Sequence, residues 1–101
     1  MSSAPPADLC REAIQLLSDA IDKPPTELKA EVDEAERAVV ALRDELIERW
    51  RATSAVDVRQ ALDSANVALS LIVGLEYPMG GLQRGMLDEA RTVLQSALTG
   101  L

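Results

Sequence analysis

The chain has 101 residues, a formal net charge of −7, no histidine and one cysteine, which leaves room for one domain without an internal disulfide. The negative charge argues against nucleic acid and anionic membranes as main partners, because both require a basic surface. The lack of histidine removes the usual general base near neutral pH, the Ser–His and Cys–His nucleophile pairs, and the Glu-x-x-His metal site of some helical bundles.

The chain contains 15 Leu and 15 Ala residues, a composition that favours closely packed helices over strands. The first predicted element is a helix over about residues 8–21. Residues 1–7 are small and contain proline, and we expect a flexible lead-in there. Asp8 is a suitable N-cap, and the Pro-Pro pair at 24 and 25 ends the helix because a residue before proline avoids the α region. One apolar face is formed by Cys10, Ala13, Ile14, Leu17 and Ile21.

The second predicted helix, residues 26–53, contains no glycine or proline. Its apolar residues recur at alternating steps of four and three, which places them on one stripe. They are Leu28, Val32, Ala35, Val39, Leu42 and Leu46. At about 1.5 Å per residue the helix is a rod of roughly 40 Å, onto which we expect the other helices to pack. Val40, Ile47 and Trp50 form a second apolar strip beside this stripe.

The junction after this helix is marked only weakly. Thr53 and Ser54 are followed by neither glycine nor proline, so one continuous helix through to Tyr77 stays open as an alternative. Ser54 with Asp57 matches a capping box in which aspartate replaces the usual glutamate. We therefore predict a turn at Thr53–Ser54 and a new helix after it.

The third predicted helix, about residues 55–77, is poor in charge: between Arg59 and Glu76 the only charged residue is Asp63. Apolar residues surround it, which predicts burial on more than one side and hence contact with a second copy of the chain. A ridge of small residues would allow close helix approach; it consists of Ala61, Ser64, Ala65 and Ala68. The alternative is that the other helices of the same chain cover this helix.

A loop over residues 77–81 is indicated by its proline and glycine content, and a last helix follows over about 86–98. Gly85 is expected to delay the start of this helix, and Gly100 to end it. The side chains predicted to face inward are Leu82, Met86, Ala90, Val93, Leu94 and Ala97.

Two patterns raise chemical alternatives. The pairs Glu31-x-x-Glu34 and Glu45-x-x-Glu48 resemble the acidic pair of all-helical nucleotide pyrophosphohydrolases of the MazG type, which clasp a divalent cation with a second pair on a facing helix. Here both pairs lie on one helix, about 21 Å apart, which is too far for one metal. Asp63-Ser64 is similar to the motif of acyl carrier proteins, in which the serine carries a phosphopantetheine arm, but Ala65 follows where that family has leucine.

We predict an antiparallel four-helix bundle over residues 8–99, with the second and third helices as a long central hairpin. The predicted function is a non-enzymatic protein–protein interaction or scaffolding module that forms a homodimer, with no cofactor, metal or catalytic residue. The alternative is a small acidic enzyme or carrier that uses carboxylates with a divalent cation, or a modified Ser64. We expect a cytoplasmic protein, because the N-terminus has no signal-peptide pattern and the uncharged run 64–75 is too short to span a bilayer. The predicted interaction surface comprises Val67, Leu71, Leu75, Tyr77, Met79 and Trp50.

Overall fold

A computed structural model describes residues 5–22, 28–73 and 83–101. Throughout these ranges the regular structure is helical, as predicted. The helices are α1 (Pro6–Asp22), α2 (Leu28–Thr53), α3 (Val56–Val73) and α4 (Gln83–Thr99). They pack in a ring, α1 against α2, α2 against α3, α3 against α4 and α4 against α1. No helix in the described ranges is long and apolar enough to cross a membrane.

The core is a narrow seam to which every helix contributes one stripe. Within each stripe the buried residues follow one another at steps of three and four, the rhythm of helices that pack side by side along their length. Of the sixteen buried apolar side chains in the described ranges, eight are alanine, so the helix backbones can approach closely. The largest fully buried members are Leu17, Leu42, Leu46, Ile72, Leu87 and Leu94.

The stripe predicted for α2 is confirmed over most of its length. Ala35, Val39, Leu42 and Leu46 are all fully buried, and Val32 is half-buried beside them. At 26 residues the helix is about 39 Å long, which matches the 42 Å long dimension of the molecule. The rod therefore sets the length of the bundle.

The first helix begins at Pro6, two residues before the predicted N-cap. The carbonyl of Pro5 accepts hydrogen bonds from the amides of Asp8 and Leu9, at 3.0 and 3.1 Å. Proline fits the first helical position because its missing N–H would have no partner there and its φ is already helical. Asp8 therefore lies within the first turn, where it pairs with Arg11 at 2.9 Å.

The predicted break between α2 and α3 is confirmed, but its chemistry differs from the predicted capping box. Ser54 has φ 52°, and its amide donates to the carbonyl of Trp50 at 2.8 Å, so it ends α2 in the left-handed conformation instead of capping α3. The Thr53 hydroxyl donates to the carbonyl of Arg49 at 2.8 Å and accepts from the amide of Ala55 at 3.3 Å. The Thr53 hydroxyl thus forms one hydrogen bond at the end of α2 and another just before the start of α3.

The last helix begins at Gln83, so the expectation that Gly85 delays it is wrong: Gly85 lies in the first turn. The seam residues are Leu87, Ala90, Leu94 and Ala97. Met86, predicted to face inward, is half-buried, and Leu87 takes the seam position instead. Counting back from Ala97 in steps of three, four and three leads to residue 87. Residue 86 lies about 100° away from this stripe around the helix axis.

The small-residue ridge of α3 faces the core of its own chain. Ala61, Ala65 and Ala68 are buried in the seam with Ile72, and Ser64 is half-buried at its edge. These alanines allow α3 to approach α2 and α4, so they are not available to a second copy of the chain. A contact between copies through α3 would therefore use another face of this helix.

Replacing Ser54 by glycine should raise the free energy of unfolding by about 0.5–1 kcal/mol, because glycine adopts positive φ without the steric cost that serine bears. Urea unfolding followed by circular dichroism measures the change. The matched control is Ser70→Gly at an exposed position inside α3, where glycine should lower stability by about 0.5 kcal/mol. Equal signs for the two variants would contradict the left-handed turn.

Replacing Gly85 by alanine should raise the free energy of unfolding by about 0.5–1 kcal/mol, because alanine is the better helix former and restricts the unfolded chain. A Cβ atom built on Gly85 meets no heavy atom within 4 Å, so the substitution adds no clash. The measurement is the midpoint of thermal unfolding. A lower midpoint would show that residue 85 is not helical.

Candidate functional site

The third helix carries three of the four large apolar side chains that are exposed in the described ranges. The large apolar side chains exposed there are Val56, Val67 and Val73, at 67%, 49% and 39%, and the remaining one is Leu101 at the C-terminus. Of the predicted interaction residues, Val67 is therefore exposed, and Leu71 is half-buried and packs partly against the core. Leu75, Tyr77 and Met79 lie outside the described residues.

Beside the seam of α3 runs a second row of residues with the same spacing. Gln60, Ser64, Val67 and Leu71 each precede a seam residue by one position, which places them about 100° round the helix. We call this row the uncharged strip. It is 12 residues long, or roughly 17 Å from end to end. Between Asp63 and the end of α3 at Val73 no residue is charged.

Trp50, the other predicted interaction residue, is half-buried at the junction of α2 and α3. Its ring lies under the guanidinium of Arg59, with the Cζ atom 5.5 Å from the ring centroid, a cation–π distance. Arg59 also pairs with Asp63 at 3.6 Å. One face of the tryptophan is therefore used by its own chain, and it covers this end of the bundle.

A groove between α1 and α2 is the second feature, and it lies outside the predicted interaction surface. Two adjoining hollows, of about 290 and 450 Å³, share Leu16 and Glu34 and so form one groove. Its floor is apolar, and its walls are charged. The floor consists of Leu9, Leu16, Ala38 and Ala41; the acidic wall residues are Glu12, Asp19 and Asp22 from α1 and Glu31 and Glu34 from α2, with Arg37 as the basic one.

The acidic residues of this α1/α2 groove differ in their pairing from those at the other end of α2. In the described ranges no ion pair involves Glu12, Asp22 or Glu34. On the C-terminal half of α2, by contrast, arginines and acids alternate in pairs. These are Arg43 with Asp44, Arg49 with Glu45 and Arg51 with Glu48, each at 3.3 Å.

For the alternative function that uses a divalent cation, the structure groups the acidic residues differently from the two pairs noted on α2. Glu45 and Glu48 are each paired with an arginine, whereas Glu31 and Glu34 share their groove with Asp19 and Asp22 of α1. The sequence signal was present: two acidic i,i+3 pairs flank the Pro-Pro break, and a hairpin brings such pairs together. Even so, no group of three or more His, Cys, Asp or Glu residues in the described ranges is placed to hold a metal ion.

The carrier alternative depends on Ser64. This serine is half-buried in the middle of α3, beside the seam residue Ala65. An arm attached there would have to pass the edge of the core, because the side chain does not project freely from a helix end.

Cys10 is fully buried, and its thiol donates a hydrogen bond to the carbonyl of Leu94 at 3.2 Å. Burial raises the pKa of the thiol from its ordinary 9.0 to about 11, and the guanidinium of Arg11 opposes part of that rise. The thiol is therefore neutral at physiological pH and is not an activated nucleophile. It joins α1 to α4 as a packing residue.

The chain has no significant match to any protein-family model, curated protein or solved structure.

Cys10 should react with a thiol reagent such as DTNB at pH 8 about a hundredfold more slowly in the native protein than in urea, because a pKa near 11 reduces the thiolate fraction. The double variant Cys10→Ser/Ser70→Cys carries one exposed thiol and should react at once. Comparable rates for Cys10 in both solvents would contradict its burial. Since the unfolded thiol ionises near pH 9, its contribution to stability should be complete below pH 9 and fall away as the pH rises to 11.

Proposed function

We propose that this protein is a non-enzymatic helical interaction module that pairs with a second copy of itself through the uncharged strip of α3. The observation that carries the proposal is Val67, which is 49% exposed in the longest uncharged run of a chain with net charge −7. The strip repeats the spacing of the core on the outside of the bundle. A matching helix can therefore pack against it.

Electrostatics favour this face for contact between copies. Two molecules of charge −7 repel each other, and the repulsion is least where neither brings a charged group to the contact. Val67 and Leu71 supply apolar contact area, while Gln60 and Ser64 can form hydrogen bonds to the second copy at the edge of the contact. An interface one helix wide lies at the low end of the size range for specific complexes, so we expect dissociation on the order of micromolar.

The proposal includes an antiparallel order of helices, with α2 and α3 as the central hairpin. Two residues separate these helices although they pack together, and so short a connection supports opposite directions. For α1 and α2 the groove supports the same order: its first hollow is lined by Leu9 and Ala41, and its second by Asp22 and Glu31.

Wild-type protein at high concentration should have the mass of a dimer by size-exclusion chromatography with light scattering, and Val67→Lys should have the mass of a monomer. A lysine in the strip would place an ammonium group within the apolar contact of the dimer and cost its hydration. It is a better helix former than valine, so the monomer should remain folded.

The matched control is Val73→Lys, the same change at an exposed valine of the same helix, about 120° round from Val67. This variant should remain dimeric. A monomeric wild type, or a Val67→Lys variant that dimerises as well as the wild type, would refute the proposal. Raising the salt concentration should strengthen the dimer, because it screens the repulsion between like-charged copies.

A further inference from the structure

We infer that the α1/α2 groove binds a basic amphipathic helix of a partner protein. The inference goes beyond the proposed self-association and does not depend on it, because the groove and the uncharged strip lie on different helices. Four observations carry it: the apolar floor, the acidic walls, the length of the groove, and the lack of a matching basic face on the chain itself.

The floor has the spacing that an amphipathic helix presents. Leu9 and Leu16 are half-buried and seven residues apart, which is about 10.5 Å or two helical turns. On α2 the floor is made by the small side chains of Ala38 and Ala41, and these leave a hollow of about 290 Å³ beside the leucines. Apolar side chains at i, i+3 or i+4, and i+7 of a docked helix would fill this floor.

The acidic side chains along the sides of the groove determine which charge a docked helix must carry. Glu12 and Asp22 of α1 and Glu34 of α2 form no ion pair within the described ranges. Among the described residues that line the groove, Arg37 is the one basic residue. Lysine and arginine side chains on both flanks of a docked helix would pair with these carboxylates, and the same walls would repel an acidic partner.

The length of the groove suits a short helix. The lining residues of α1 run from Leu9 to Asp22, which is about 20 Å. A partner segment of about 13 residues, between three and four turns, spans this distance. Its apolar side would lie on the floor and its basic flanks on the walls, which is the helix-in-groove mode of peptide recognition.

A second copy of this chain is not the occupant that fits. The arginines on the C-terminal half of α2, at positions 43, 49 and 51, are each paired with a neighbouring acid, and Arg91 of α4 pairs with Asp88. The chain thus has no free basic row to place between the acidic walls, within the ranges that the structure describes. The partner must be a different and basic protein.

The test is fluorescence anisotropy with a labelled 14-residue peptide at low ionic strength. The probe has leucines at i, i+3, i+7 and i+10 and lysines on the flanks. Its control is a peptide of the same composition, scrambled so that no apolar face remains. We expect the patterned peptide to bind at least tenfold more tightly than the scrambled one, to gain helical circular dichroism on binding, and to lose affinity as salt is added.

Two pairs of variants locate the site. Ala41→Arg fills the floor and should weaken binding at least tenfold, whereas Ala52→Arg, an exposed alanine on the same face of α2 about 16 Å further on, should leave it unchanged. Glu12→Gln/Glu34→Gln should weaken binding severalfold, whereas Glu36→Gln/Glu89→Gln, with the same change in net charge outside the groove, should not.

Equal binding of the patterned and scrambled peptides would overturn the inference, since charge alone would then explain the affinity. No binding at about 100 μM protein, or equal losses in a groove variant and its control, would overturn it as well. The result is separable from the proposed dimer. Val67→Lys should bind the peptide as well as the wild type does, and Ala41→Arg should leave the oligomeric state unchanged.

Discussion

Close contact between helices across an alanine-rich seam is the interaction on which the rest of this bundle depends. Because half of the buried apolar residues in the described ranges are alanine, the helix backbones can approach the leucines, the valine and the isoleucine of the seam. Such a seam is narrow, so the apolar residues beside it, such as Ile14, Leu16 and Leu71, remain half-buried. The residues flanking the seam therefore supply both surfaces that we assign to partners.

The parts of the fold that the sequence predicted best are those governed by a long, unbroken pattern. The stripe of α2 and the all-helical class follow directly from spacing and composition. The errors arose where two local rules competed. A glycine was expected to delay α4, yet Gly85 lies in an exposed first turn where it costs little, and the seam runs through Leu87 instead of Met86. Ser54 was expected to cap α3, but the left-handed conformation that ends α2 requires the same residue.

The candidate sites were harder to predict because they depend on which helices become neighbours. The alanine ridge of α3 predicts close helix approach, but its spacing does not reveal which helix it contacts. The acidic pair Asp19/Asp22 lines the same groove as Glu31/Glu34 because α1 packs against α2, and neither helix alone reveals this. The charge distribution is uneven in the described ranges: Glu12, Asp22 and Glu34 form no ion pair, while α3 carries only three charged residues. The molecule thus has two chemically different surfaces, an acidic groove between α1 and α2 and an uncharged strip on α3.

The stacking of Arg59 on Trp50 has a practical consequence for spectroscopy. Trp50 is the single tryptophan of the chain, so its emission originates at one place, the end of the bundle where α2 meets α3. Opening of that junction would move the guanidinium away from the ring and change the signal. Fraying of α1 or of the far end of α4 would leave it unaltered. Tryptophan fluorescence of this protein thus reports on the junction of α2 and α3 alone. Amide circular dichroism is needed to follow the unfolding of the other helices.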